Sequence, residues 1–219
     1  MLPIAVLVSG TGSNLQAILD ASRADPDFGA QVVVVISDRA GVGALERAAR
    51  AGVPSEVIAF GDFPDRTAFT EAVGDAAEKH DAEALVLAGF MRVLDRKALE
   101  RFPERILNVH PSLLPAFPGA RPVRDALRHG VKVTGVTVHL VDEEVDHGPI
   151  IAQRVVEVVP GDSEATLHAR IQAEEHRLYP QVVKALAHRR LRVEGRLVTW
   201  EGSLEFPPPL GEAQGGGDR

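Results

Sequence analysis

Short apolar runs alternate with amphipathic stretches through most of the chain. "IAVLVS" (4–9) precedes "SNLQAILDAS", "QVVVVIS" (31–37) precedes "VGALERAARAG", and "SEVIAF" (55–60) precedes "DRTAFTEAVGDAAEKH". "AEALVLAG" (82–89) precedes "DRKALERFP", and "RILNVH" (105–110) comes after it. Runs that are apolar at successive positions predict strands covered on both faces, and their alternation with helical periodicity predicts βαβ units with right-handed crossovers. The expected fold class is therefore α/β, with a mostly parallel central sheet flanked by helices. After about residue 130 the pattern changes. "KVTGVTVHLV" (132–141) and "PIIAQRVVEVV" (149–159) read as longer strands around a polar loop, so the C-terminal portion is expected to be antiparallel. A helix is predicted from about Ser163 to Ala187, capped by Asp162 or Ser163 and kinked or divided at Pro180. "LRVEGRLVTW" (191–200) predicts a hairpin turning at Glu194–Gly195. Residues 1–206 are expected to form one domain, with halves at about 1–103 and 104–206, and 207–219 a disordered tail.

Composition narrows the class. The chain has 219 residues, 45% hydrophobic, enough for a substantial core. A formal charge of −7 gives no general attraction to nucleic acid or anionic membranes. Cysteine is absent, which excludes disulfides, zinc–thiolate sites and thiol nucleophiles and suits a reducing compartment. The N-terminal run lacks a basic flank and stops at Ser9, so it does not read as a signal peptide, and no segment approaches a membrane span. A cytoplasmic protein is expected, without nucleic-acid or membrane partners.

Three stretches carry candidate chemistry. In "VSGTGSNLQA" a strand runs into a glycine-containing turn and then a helix, whose free N–H groups and positive dipole end favour an anion. Gly10 and Gly12 match the first two glycines of a dinucleotide fingerprint, but Leu15 stands at the third, and no Walker lysine is present. The turn suits a single phosphate better than a pyrophosphate; an ordinary tight turn remains the alternative. In "NVHPSLLPAFPG", Asn108 and His110 have the spacing that puts both on one side of a strand, at its carboxyl end. Pro111, Pro115 and Pro118 stiffen the loop behind them. The alternative is that this pair merely satisfies loop backbone. Asp146, in "DEEVDHGPI", can orient His110 if the two meet; by composition alone it belongs to a solvated acidic loop. The other seven histidines, His139 among them, show no metal-ligand spacing and are assigned to surface or core; no metal is expected.

Taken in order, "SGTGSNLQA", "LAGFMRVL", "NVHPSLLPAFPG", "VDHGPIIAQ" and "GDSEATLHARIQAEEHRLYP" closely resemble the folate-dependent formyltransferase family, over about residues 3 to 200. The first loop and the "QAEEHRLYP" helix point to its glycinamide ribonucleotide branch. The resemblance implies a Rossmann-like formyltransferase fold and transfer of the formyl group of 10-formyltetrahydrofolate to the amine of glycinamide ribonucleotide in purine biosynthesis. It implies catalysis by Asn108, His110 and Asp146. It places the ribonucleotide on Thr11, Gly12, Ser13, Asn14, Gln172 and Glu175, and the folate against Arg66, Met91, Arg92, Val93, Leu94, Asn108, Val141, Asp142 and Asp146. Arg121 departs from it, standing where many members carry histidine. Small-molecule partners and a monomer or homodimer are expected. Formyltetrahydrofolate hydrolysis, transfer to another amine, and non-catalytic binding are the competing functions.

Overall fold

The structure is a computed structural model that describes residues 1–200. The expected tail, 207–219, lies outside the described residues, as do 201–206. Seven strands form one sheet in the order β3-β2-β1-β4-β5-β6-β7. They are β1 (Leu2–Val8), β2 (Ala30–Ser37), β3 (Ser55–Val57), β4 (Ala84–Leu87), β5 (Ile106–His110), β6 (Val133–Leu140) and β7 (Ile150–Glu157). The first five run parallel; β6 is antiparallel to β5, and β7 to β6. The mostly parallel sheet and antiparallel C-terminal portion are thus observed. Among the described residues no helix is long and apolar enough to cross a membrane.

The alternating direction of strand side chains splits the core in two. Ile4, Val6 and Val8 of β1 enter a cluster with Leu15 and Ile18 of α1 (Ser13–Ala24) and Leu167, Ile171 and Leu178 of α6 (Glu164–Ala187). Ala5 and Leu7 enter the opposite cluster with Phe69 and Val73 of α3 (Arg66–Lys79) and Ala98 of α4 (Arg96–Arg101). Both faces of β1 are therefore dry, as its unbroken apolar run requires. Strand order reverses between β1 and β4, which opens a crevice beyond their carboxyl ends, where open α/β sheets bind ligands.

Four details differ from expectation. β3 ends at Val57, and Phe60–Asp62 forms a 3-10 turn instead. This edge segment buries little as a strand, whereas the turn lets Phe60 meet the Phe69 ring edge-on at 5.2 Å. An unexpected helix, α5 (Pro122–His129), comes after the proline loop; its signals were Pro at the first helical position and Gly130 in a left-handed C-terminal conformation. Pro180 does not divide α6, which continues through it for 24 residues, with Pro180 buried. The hairpin of β8 (Leu191–Glu194) and β9 (Leu197–Trp200) pairs Glu194 with Leu197, so Gly195 and Arg196 make the turn, one residue later than expected. Ser163 caps α6 as expected, with Thr166 completing the reciprocal pair of bonds.

Candidate active site

The first turn faces the crevice from β1. Gly12 has φ of +73°, and a Cβ there would stand 2.7 Å from Ala44 of α2 (Gly43–Ala51), so only glycine fits. The turn's carbonyls point back toward α2: Gly10 O accepts from Ala44 N–H at 3.1 Å, and Thr11 O from Arg47 Nε at 2.8 Å. Gly12 offers α1 no side-chain cap, so no cap side chain occupies the leading N–H groups of this helix. Arg47 thus supports the turn and brings positive charge to it; nothing in the α2 periodicity, which holds Arg50 as well, gave a signal of that.

Helix α6 closes this part of the crevice. Gln172 Nε2 donates to Ser13 Oγ at 2.9 Å, and Asn14 Nδ2 donates to Glu175 Oε2 at 2.8 Å. Four residues expected around one ligand, from positions about 160 apart, therefore meet. Asn14 and Glu175 are buried, and Asn14 Oδ1 has no hydrogen-bond partner among the described residues. Burial pushes the Glu175 carboxyl above its usual pKa, partly offset by the Asn14 bond.

At the end of β5, Asn108 and His110 do face one side, and Asp146 reaches them from the β6–β7 loop. Asn108 Nδ2 donates to Asp146 Oδ1 at 3.3 Å, and His110 Nδ1 lies 3.3 Å from Asp146 Oδ2. Gly119 N–H donates to the same Oδ2 at 2.8 Å. Asp146 is therefore not part of a solvated loop: it sits at φ of +53°, its side chain 10% exposed, bridging two segments. Gly148 makes this approach possible, because a Cβ there would lie 1.9 Å from Leu140 O. His110 Nε2 donates to the Phe117 carbonyl at 2.9 Å. Both ring nitrogens of His110 therefore face oxygen atoms, which fixes the orientation of the ring.

The proline loop is held by β6 and β7 as well as by its prolines. Thr137 Oγ1 donates to Ser112 O at 2.7 Å and accepts from Leu114 N–H at 3.0 Å; Gln153 Nε2 donates to Leu114 O at 2.8 Å.

His139, expected at the surface or in the core, is buried, but at the site. The β5–β6 register sets it opposite Asn108, whose Nδ2 donates to His139 Nε2 at 3.0 Å. His139 Nδ1 donates to Leu140 O at 2.7 Å. Cross-strand register is what a single strand's sequence lacks.

The loop after β4 forms the other lip. Ser9 Oγ accepts from Met91 N–H at 2.8 Å, tying this loop to the first turn. Met91 and Val93 are exposed, while the Leu94 side chain is buried in the α3-side core and offers a ligand only backbone. Arg92 turns its side chain away: Nε donates to the buried Asp38 at 2.7 Å, and the guanidinium lies 4.8 Å over Phe60. Arg66 is exposed at the start of α3, next to Thr67, which donates to Asp95 at 2.6 Å. Val141 continues β6 with an N–H donated to Ile106 O at 2.9 Å, and Asp142 accepts from His147 Nδ1 at 2.7 Å. Arg121 is exposed at the cap position of α5. Among the described residues no group of three or more His, Asp or Glu side chains could hold a metal ion.

Comparison with known proteins gives consistent findings. The formyl transferase family model matches residues 2–183. A phosphoribosylglycinamide formyltransferase from Mycobacterium tuberculosis is 50% identical over 196 residues, covering 90% of this chain and 90% of that protein. The Gallus gallus trifunctional purine biosynthetic protein adenosine-3 is 43% identical over 199 residues, 90% of this chain and 20% of that protein. A crystal structure of glycinamide ribonucleotide transformylase 1 from Symbiobacterium toebii superposes with a TM-score of 0.88 at 50% identity, covering 91% of this chain and 94% of that one.

Proposed function

The chain belongs to the formyl transferase family, and from that premise we propose that it moves a formyl group from 10-formyltetrahydrofolate to the amine of glycinamide ribonucleotide. The observation that carries this reading is the meeting of two chemically different sites at one end of the sheet. An anion-ready turn with Ser13, Asn14, Gln172 and Glu175 lies on one side, and Asn108, His110 and Asp146 on the other. Glu175 lies within electrostatic reach of His110. The ribonucleotide phosphate binds the N–H groups at Gly12, Ser13 and Asn14, which places its amine near Glu175 and the triad. The folate lies along the Met91–Leu94 lip, between Arg66 and the Val141–Asp146 loop.

In the reaction the amine nitrogen attacks the formyl carbon, and the carbonyl oxygen takes up the electron pair. Asn108 donates a hydrogen bond to that oxygen, and His110, on the same side of the site, stabilises the charge that develops on it. Asp146 orients the His110 ring and relays the proton lost by the amine. When the oxyanion collapses, the bond from carbon to N10 breaks; N10 keeps the electron pair and receives the proton. The amine must be neutral to attack, and the Glu175 environment, which disfavours a buried charge, suits that.

Purified protein mixed with 10-formyltetrahydrofolate, with and without glycinamide ribonucleotide, tests this through the folate absorbance change. Turnover only with the ribonucleotide is expected; turnover without it points to hydrolysis. Asn108→Ala and Asp146→Asn are each expected to lower kcat by about 10²–10³, the cost of losing an oxyanion donor or its support. Folded variants with full activity would remove these residues from the mechanism.

A further inference from the structure

We infer that His139 is a positioning residue that holds the Asn108 amide with its N–H end, rather than its carbonyl, toward Asp146 and the reacting carbon. The inference rests on the role of Asn108 proposed above. A side-chain amide can flip, exchanging two donors for an acceptor in nearly the same shape. In Asn108 that flip would set a carbonyl against the developing oxyanion and abolish the stabilisation it is there to provide.

His139 decides the matter through its tautomer. Nδ1 lies 2.7 Å from Leu140 O, a contact that requires an N–H on Nδ1. The ring is 2% exposed, and burial lowers its pKa, so the second proton is disfavoured and Nε2 keeps a lone pair. The charged and titratable groups that act on the ring are Asp146 and Asp142 from the β6–β7 loop and His110 from β5; burial outweighs the two carboxylates. Nε2 is therefore an acceptor, and it takes one Asn108 N–H at 3.0 Å. The other N–H points to Asp146 Oδ1 at 3.3 Å, long for such a bond, and is the one that can pass to the formyl oxygen. A flipped amide would put its oxygen against both the His139 lone pair and the Asp146 carboxylate. The strand register that makes Asn108 and His139 direct partners keeps this arrangement in place before any substrate arrives.

Two measurements test it. Long-range 15N–1H NMR of the unliganded protein is expected to show His139 with a protonated Nδ1 and a pyridine-like Nε2; a protonated Nε2 overturns the proposal. In steady-state kinetics, His139→Leu is expected to lower kcat by about 10–100-fold, with both KM values little changed, because an amide free to flip costs orientation at the reacting carbon. His139→Gln, which can present an oxygen to Asn108, is expected to recover much of the loss. An equally impaired Gln variant, or an unimpaired Leu variant alongside an impaired Asn108→Ala, overturns the positioning role. Full activity of Asn108→Ala overturns the reading of Asn108, while the tautomer result is still decided by its own spectrum. Circular dichroism and unfolding curves of both His139 variants establish that they are folded.

Discussion

Single residues in this protein take their chemistry from what surrounds them. Glu175 is the sharpest case. Its carboxyl is buried, and its pKa is raised chiefly by desolvation, against the opposing Asn14 bond. A raised folded pKa means that the native state holds the proton more tightly than the unfolded chain. Stability from this group is then present below the ordinary glutamate value of 4.5 and falls as pH rises through the folded value. Glu175→Gln is therefore expected to be more stable than the parent at neutral pH, with the difference closing below pH 4.5; thermal unfolding of both proteins across pH reads this directly. The same variant is expected to raise KM for the ribonucleotide by about tenfold, as loss of a charge-assisted hydrogen bond does. A constant stability difference across pH would show that Glu175 titrates as an ordinary carboxylate. Asn108 and His110 were legible from their spacing and the prolines behind them. His139 was not, because nothing within its own strand marks it; its partner is 31 positions earlier and was chosen by register.

At the scale of elements, the loop that carries Asp146 depends on a hairpin distant in sequence. His147 Nδ1 donates to Asp142 at 2.7 Å and so ties the two ends of the loop together. Arg196, in the β8–β9 turn, donates to the His147 carbonyl at 2.7 Å and stands 3.2 Å from His147 Nε2. Residues 2–183 match the family model, so this clamp comes from outside the matched region. Arg196→Ala is expected to loosen residues 142–148, seen as faster amide exchange there, and to raise KM for the folate by roughly fivefold. That factor corresponds to the ~1 kcal/mol upper range of an exposed charged contact. Unchanged exchange and unchanged KM would leave the hairpin without influence on the site. The hairpin and the loop were each visible in the sequence as turn chemistry between strands. Their contact was not, since exposed polar side chains carry no pattern that names a distant partner.

Over the whole molecule, α6 joins the two parts of the site because it is anchored under the sheet. The Tyr179 hydroxyl, fully buried, is shared between Leu87 O of β4 at 2.9 Å and Leu107 O of β5 at 3.1 Å. Tyr179→Phe is expected to cost about 0.5–1.5 kcal/mol, the net worth of a typical hydrogen bond, because the β4–β5 ladder still pairs both carbonyls, and to shift the denaturation midpoint without changing its slope. An unshifted midpoint would mean that packing of the ring alone anchors α6. Most strand and helix identities, the parallel sheet with an antiparallel portion, the glycine turn before α1 and the placing of Asn108 and His110 on one face came from the sequence by itself, because period, glycine placement and side-chain chemistry are local properties. The tertiary structure decided the rest. It set strand order and register, brought Asp146 and His139 to Asn108, joined Ser13 and Asn14 to Gln172 and Glu175, and turned Arg92 to Asp38. Those contacts depend on which surfaces bury against each other, and the free energy of that choice is summed over the entire core rather than written in any one segment.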